Sequence, residues 1–227
     1  MRALDVMFEA YAMARIIGAE HEFHEAGYAR DWATRFDPTP ERLRLFAMII
    51  GQLKSRPLPM PHVVELGIGP GYLAAGLLDA ITGVTYEGVD FSQPMLEIAG
   101  ARLNGFSERV TFTQANLVVD PWEEWVKPPG AVVSTWTLHD LGSEANTATV
   151  YQRCKSVLPP GGMLVNADFI KPNGTKFEYE PGRFSVERHV DILLSLGFKS
   201  VECVGIFELE LEAPTPAQNY ACFKAIA

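Results

Sequence analysis

In HVVELGIGPGYLA, residues 62–74, three glycines alternate at Gly67, Gly69 and Gly71, directly behind a short apolar run. Glycines at such a turn let the backbone take unusual dihedrals and let a ligand approach closely. Two acids flank them. Glu65 precedes the glycines, and Asp90 ends the next apolar run, where an acid can accept both hydroxyls of a ribose. A dinucleotide fingerprint needs G-x-G-x-x-G. Counting from Gly67 the sixth position is Tyr72, and from Gly69 it is Ala74, a late register. No Lys or Arg occurs between His62 and Gly100, and Pro70 has no N–H to offer a phosphate. The loop therefore fits a positively charged nucleoside better than a pyrophosphate.

Three further groups could carry chemistry. His139, in TWTLHDL, has an ordinary pKa near ~6.5 and suits proton transfer. Asp140 beside it could orient the ring, and Trp136 could wall a flat substrate. His21 and His24 are three apart, with Glu20 and Glu25 adjacent. On a helix the two imidazoles would share a face, as half of a metal site or as bases above a pocket. A metal needs a third ligand, none is obvious, and no metal is expected. Tyr28 and Arg30 could close over a ligand carboxylate, and the polar loop 171–183, with Tyr179, Arg183 and His189 beyond it, could cover the site.

Elements at fixed places must hold these residues. Residues 1–60 read as a helical cap. Leu4, Phe8, Tyr11 and Ala12 form one amphipathic stretch, and Leu43, Phe46, Ala47, Ile50 and Leu53 a second, started by Thr39-Pro40-Glu41. RPLPMP, 56–61, ends the cap. From there strands (62–67, 84–89, 110–114, 131–135, 163–169) alternate with helices (72–81, 94–103, 143–157). That rhythm, with near-continuous apolar strands, predicts a doubly wound, mostly parallel α/β sheet over 61–227. A helix over 185–196 ends at Gly197. SVECVGIFELEL and NYACFKAIA, joined by the short segment EAPTPAQ, predict an antiparallel hairpin.

Composition excludes several classes. The 227 residues carry a net charge of −9 and no Lys/Arg-rich run, which disfavours a nucleic-acid backbone as partner. Cys154, Cys203 and Cys222 are odd in number and lack zinc spacing. No stretch is apolar enough to span a bilayer, and Asp5 and Glu9 interrupt the start, so a cytoplasmic protein is expected.

ELGIGPG, followed by GVDFSQPML at 88–96, resembles the class I S-adenosylmethionine-dependent methyltransferases, strongly over 63–96 and more loosely to 169. The resemblance implies a seven-stranded sheet and S-adenosyl-L-methionine as cofactor. Gly67, Gly69 and Gly71 would pass under its methionine part, and Glu65 would help hold its ammonium. Asp90 would take the ribose hydroxyls, with Phe91 and Met95 flanking the adenine. Asn116 stands where the family commonly has an aspartate toward the adenine amino group. Leu117 would offer a backbone amide, and Thr135 would line the site beneath the sulfonium. The expected reaction is methylation of an oxygen or nitrogen on a small, aromatic metabolite, with His139 as base and Trp136, Tyr28 and His24 at the acceptor. A methyltransferase-like partner subunit and, behind it, a nicotinamide-dependent oxidoreductase are the alternatives. A homodimer is left open.

Overall fold

The computed structural model describes residues 21–35, 38–175, 178–208 and 219–227. The stretch around Leu4 and Phe8 lies outside them. Seven strands run β1 His62–Leu66, β2 Thr85–Asp90, β3 Val110–Gln114, β4 Ala131–Thr135, β5 Met163–Phe169, β6 Lys199–Glu208 and β7 Asn219–Ile226. The described helices are α1 Ala26–Arg35, α2 Pro40–Lys54, α3 Tyr72–Ala80, α4 Gln93–Arg102, the single turn α5 Trp122–Trp125, α6 Glu144–Val157 and α7 Val186–Ser195. The sheet order is β3-β2-β1-β4-β5-β7-β6. The first five strands are parallel, and β7 lies antiparallel between β5 and β6. The expected hairpin forms, and its second strand, not its first, reaches β5.

Local chemistry fixes the elements. Thr39 caps α2 with Pro40 in its first turn, Ser92 caps α4, Ser143 caps α6 and Ser185 caps α7. The central strands are buried along their length, as strands covered on both faces must be. Val64, Leu66 and Val132 join one core, with Trp122, Tyr151 and Leu193, while Val63 and Val133 join the other, with Leu45, Ile49, Leu73 and Leu77. The alternation follows from the period of two along a strand. Through Leu45, Phe46, Ile49 and Leu53, α2 belongs to the second core and packs on α3, β5 and β7.

Strand order reverses between β1 and β4, so the loops leaving their carboxyl ends diverge and open a crevice. The turns after β1, β2, β4 and β5 all reach that edge. No described helix is long and apolar enough to cross a membrane.

Candidate active site

A cavity of about 320 Å³ occupies this crevice, within the range of small-molecule sites. Of the cofactor residues expected above, Glu65, Gly67, Gly69, Asp90, Phe91, Met95, Asn116, Leu117 and Thr135 line it, and Gly71 does not. Gly71 instead starts α3, with φ +79°.

The loop after β1 takes its shape from its glycines and neighbours. Gly67 and Gly69 also have positive φ, +67° and +49°. A β-carbon on Gly67 would collide with the Thr137 side chain, so Thr137, from the turn after β4, packs directly on the Gly67 backbone. Gly67→Ala is therefore expected to cost about 2 kcal/mol or more and to lower the thermal midpoint by several degrees, which a melting curve will read. The Gly69 N–H donates to Asp90 Oδ2 at 2.9 Å, and the Ser92 N–H to Asp90 Oδ1 at 2.9 Å. Asp90 thus ties the glycine loop to the end of β2 and keeps lone pairs for a ligand. Burial pushes its pKa up to about 6 against the pull of these amides. From α4, Arg102 Nε donates to the Pro70 carbonyl at 2.7 Å, with its guanidinium stacked on Tyr72.

Glu65 is fully buried, and Tyr86 from β2 donates to its Oε2 at 2.7 Å. Burial pushes its pKa up to about 8, so at neutral pH it is largely protonated. Asn116 lines the cavity, but its side-chain oxygen accepts the Val118 and Val119 N–H groups at 2.9 and 3.3 Å. An adenine amino group would have to compete with both.

His24 and Tyr28 do not line the cavity. His21 and Glu22–His24 form a 3₁₀ turn rather than a shared helix face, and both imidazoles meet Phe91 edge-on. Tyr28 packs on Phe23. Phe23 and Trp32 reach the cavity, and Ser92 Oγ donates to the Phe23 carbonyl. The described N-terminal residues before α2 thus close over the β2 end. Sequence spacing pointed to His24 and Tyr28 here, whereas Phe23 and Trp32 face inward.

The β4–β5 end is different. Trp136 holds φ +46°, a strained conformation for a bulky residue. Its backbone N–H donates to the Ala167 carbonyl at 3.0 Å, and its ring meets Phe46, Phe169 and Tyr220. His139 lies in the turn Leu138–Leu141, buried and edge-on to Phe169. Its Nδ1 sits 2.7 Å from Asp168 Oδ1, while Nε2 lies 3.2 Å from the exposed Asp140.

Asp168 is the residue that sequence reading missed. It is fully buried, accepts the Leu138 and His139 N–H groups on Oδ2 and the Phe169 N–H on Oδ1. Burial raises its pKa, but the His139 charge, its hydrogen bond and the Phe169 amide outweigh this and hold it below its ordinary value. Burial alone would lower the His139 pKa; the charge and hydrogen bond of Asp168, with Asp140, raise it overall. The orienting acid is therefore Asp168 on β5, not the neighbour Asp140. The available signal was an acid inside the apolar strand MLVNADF.

The loop before α7 supports this turn. A β-carbon on Gly182 would lie 1.8 Å from the His139 carbonyl oxygen, so the two backbones touch. Arg183 is buried over Phe169 and pairs with Glu180. His189 lies away from the cavity, hydrogen-bonded to Tyr151 and stacked on Phe223. Among the described residues no cluster could hold a metal ion.

The donor set fits S-adenosylmethionine. The buried acids Glu65 and Asp90 line the cavity beside the aromatic rings of Phe23 and Phe91, a set that suits a cationic nucleoside, and a β-carbon built on Gly69 would meet nothing within 4 Å. Residues 63–162 match the model of a methyltransferase domain family. An uncharacterised methyltransferase of Bacillus licheniformis is 30% identical over 155 residues, covering 65% of this chain and 68% of that protein. A carboxy-S-adenosyl-L-methionine synthase of Aeromonas salmonicida is 29% identical over 157 residues, 67% of this chain, and the match spans only 60% of that protein's length. The CurJ carbon methyltransferase superposes with a TM-score of 0.71 at 13% identity, over 99% of this chain and 68% of that one, a likeness of fold. With the glycine loop, the acids and the sheet order, these matches place the chain in the class I S-adenosylmethionine-dependent methyltransferases.

Proposed function

We propose that the protein transfers the methyl group of S-adenosylmethionine to a hydroxyl oxygen, or less favourably to a nitrogen, of a small aromatic molecule. The observation that carries this is the His139–Asp168 pair at the cavity wall. A sulfonium cofactor supplies an electrophilic methyl group and a good leaving group. What remains for the protein is to align the acceptor, exclude water and remove a proton from it, and alignment alone can contribute ~7–11 kcal/mol.

The residues divide that work. Asp90 and the glycine loop would hold the ribose and methionine parts, and Glu65 the ammonium. Asp168, an acceptor-only group, fixes the proton of His139 on Nδ1. Nε2 is then the basic nitrogen. It would take the hydroxyl proton as the oxygen gains the methyl group, and later release it to solvent through exposed Asp140. Trp136 and Phe169 would stack on the acceptor ring. An amine nucleophile with a free lone pair would not need this base, which is why oxygen is favoured.

Titration calorimetry tests the cofactor half. S-adenosylmethionine and S-adenosylhomocysteine are expected to bind in the micromolar range, with affinity lost by about a hundredfold in Asp90→Ala. No heat with either compound in the wild-type protein would overturn the reading.

A further inference from the structure

Arg183 is a cation withdrawn from water outside the cavity wall, with its side chain 5% exposed. A buried charge is costly unless it is paired. Its Nε lies 2.7 Å from Glu180 Oε2, and its Nη2 donates to Glu180 Oε1 at 3.3 Å, a two-pronged pair with an exposed carboxylate. The guanidinium lies over Phe169, 4.2 Å from the ring centroid. Phe169 in turn meets His139 edge-on at 4.8 Å. The order is therefore cation, aromatic ring, imidazole.

The chain around Arg183 is built to hold that order. The Arg183 N–H donates to the Glu180 carbonyl at 2.9 Å, a turn that brings the two side chains together. On one side of Arg183, Gly182 leaves no room for a β-carbon against the His139 carbonyl. On the other, the Phe184 carbonyl accepts the Lys171 N–H at 3.1 Å, and the Phe184 ring packs 4.1 Å from His189. Arg183 is thus pinned beside the turn that carries His139.

The groups facing the imidazole decide what a cation there does. Asp168 stands on β5, Asp140 on the same turn as His139, and Arg183 on the loop before α7. Beyond them, His189 of α7 acts on Asp168, and Glu180 acts on Asp140. Burial lowers the His139 pKa, Asp168 and Asp140 raise it above its ordinary value, and Arg183 draws it back. Two acids beside one imidazole favour its protonated form, which is no base. A cation one ring away opposes them without occupying either ring nitrogen.

We propose that Arg183 is a positioning residue for His139, a fixed charge acting across Phe169 to keep the imidazole neutral, and so basic, beside Asp168 and Asp140. This rests on His139 serving as the base in the reading above, and adds the group that tunes it.

Nuclear magnetic resonance of the isotope-labelled, ligand-free protein tests it. The His139 ring is followed through a pH titration, its signal assigned by its loss in His139→Gln. Arg183→Met keeps an apolar stem over Phe169 and removes the charge, and its His139 midpoint should rise by about half a pH unit or more. Arg183→Gln, a second neutral variant, should do the same, and carries the test if the methionine variant does not fold. Arg183→Lys keeps the charge and loses the planar stack, so its midpoint should stay within about 0.2 pH unit of wild type. A role in packing alone predicts a different grouping, with Arg183→Lys moving alongside the neutral variants because all three lose the stack. That grouping, or a midpoint that stays put or falls in the neutral variants, would overturn the proposal. The titration needs neither cofactor nor acceptor, so it can fail while S-adenosylhomocysteine binding stands. Loss of that binding in the wild-type protein would instead sink the proposed function and leave the Arg183 effect intact.

Discussion

His139→Ala is expected to lower kcat by about two to four orders of magnitude while S-adenosylhomocysteine affinity stays within about twofold of wild type. The size follows from the role. A positioned base acts on the proton in flight and contributes little to holding the cofactor. The pH dependence carries more detail. The proposed base acts through neutral Nε2, so kcat should rise with pH through the His139 pKa, which lies above the ordinary 6.5 because Asp168 and Asp140 outweigh burial. Asp168→Asn removes the main source of that rise. Its profile should move to lower pH, and its plateau should drop, because the amide can donate to Nδ1 and turn the proton onto Nε2. A merely structural Asp168 would leave the profile in place.

Stability gives a second reading of the same pair. The Asp168 pKa is depressed, so its contribution is present above the ordinary carboxylate value and is lost as pH falls through the folded value. The His139 pKa is raised, so its contribution is full below the ordinary imidazole value and fades as pH rises through the folded one. The pair is therefore most stabilising between these limits. Breaking it with Asp168→Ala should cost about 3–5 kcal/mol in urea unfolding near neutral pH, since three backbone amides and an imidazole lose a buried acceptor. A wild-type rate in His139→Ala would remove the base from the mechanism.

Cofactor affinity is expected to strengthen with pH by about tenfold per unit over part of the range from 6 to 8, and Glu65→Gln should flatten that dependence. Glu65 starts from a pKa of about 8, because burial disfavours its charge. A bound cation beside it favours ionisation, so binding releases a proton and gains with rising pH until the free protein has also lost it. Asp90, at about 6, adds to the lower part of the range. Calorimetry in buffers of different ionisation enthalpy will count the proton.

The ligand-free protein should respond in the opposite sense. The Glu65 pKa is raised, so its stability contribution is full below the ordinary carboxylate value and is lost as pH climbs through about 8. The loss is of order 5 kcal/mol. Glu65→Gln should therefore raise the ligand-free thermal midpoint at pH 8 while weakening S-adenosylmethionine binding. An unchanged pH dependence in Glu65→Gln would mean that another group takes up the proton.

Much of the fold was legible in the sequence because it is written in local signals. Near-continuous apolar strands, capping residues such as Thr39 and Ser143, and the glycines behind β1 act over a few residues. They place β3, β4, β5 and the helix after Ser143 at the residues expected from sequence. The glycine loop with Glu65 and Asp90 was legible for the same reason, since the acids stand at the carboxyl ends of β1 and β2, the glycines follow β1, and parallel strands present their ends on one edge. His139 was legible as a histidine near that edge.

Its partner was not. Asp168 lies 29 positions away in sequence, and only the pairing of β4 with β5, Thr135 against Ala167, brings it under the imidazole. The same holds for Arg42 over Trp136, where α2 packs across β5 and β7, and for the inward turn of Phe23 and Trp32 in place of His24 and Tyr28. By itself, then, the sequence determined the α/β architecture, the family and the cofactor edge, because these depend on patterns repeated along the chain. Tertiary structure decided which acid pairs with His139 and which aromatic rings line the cavity, because each of those is a contact between elements that no local pattern encodes.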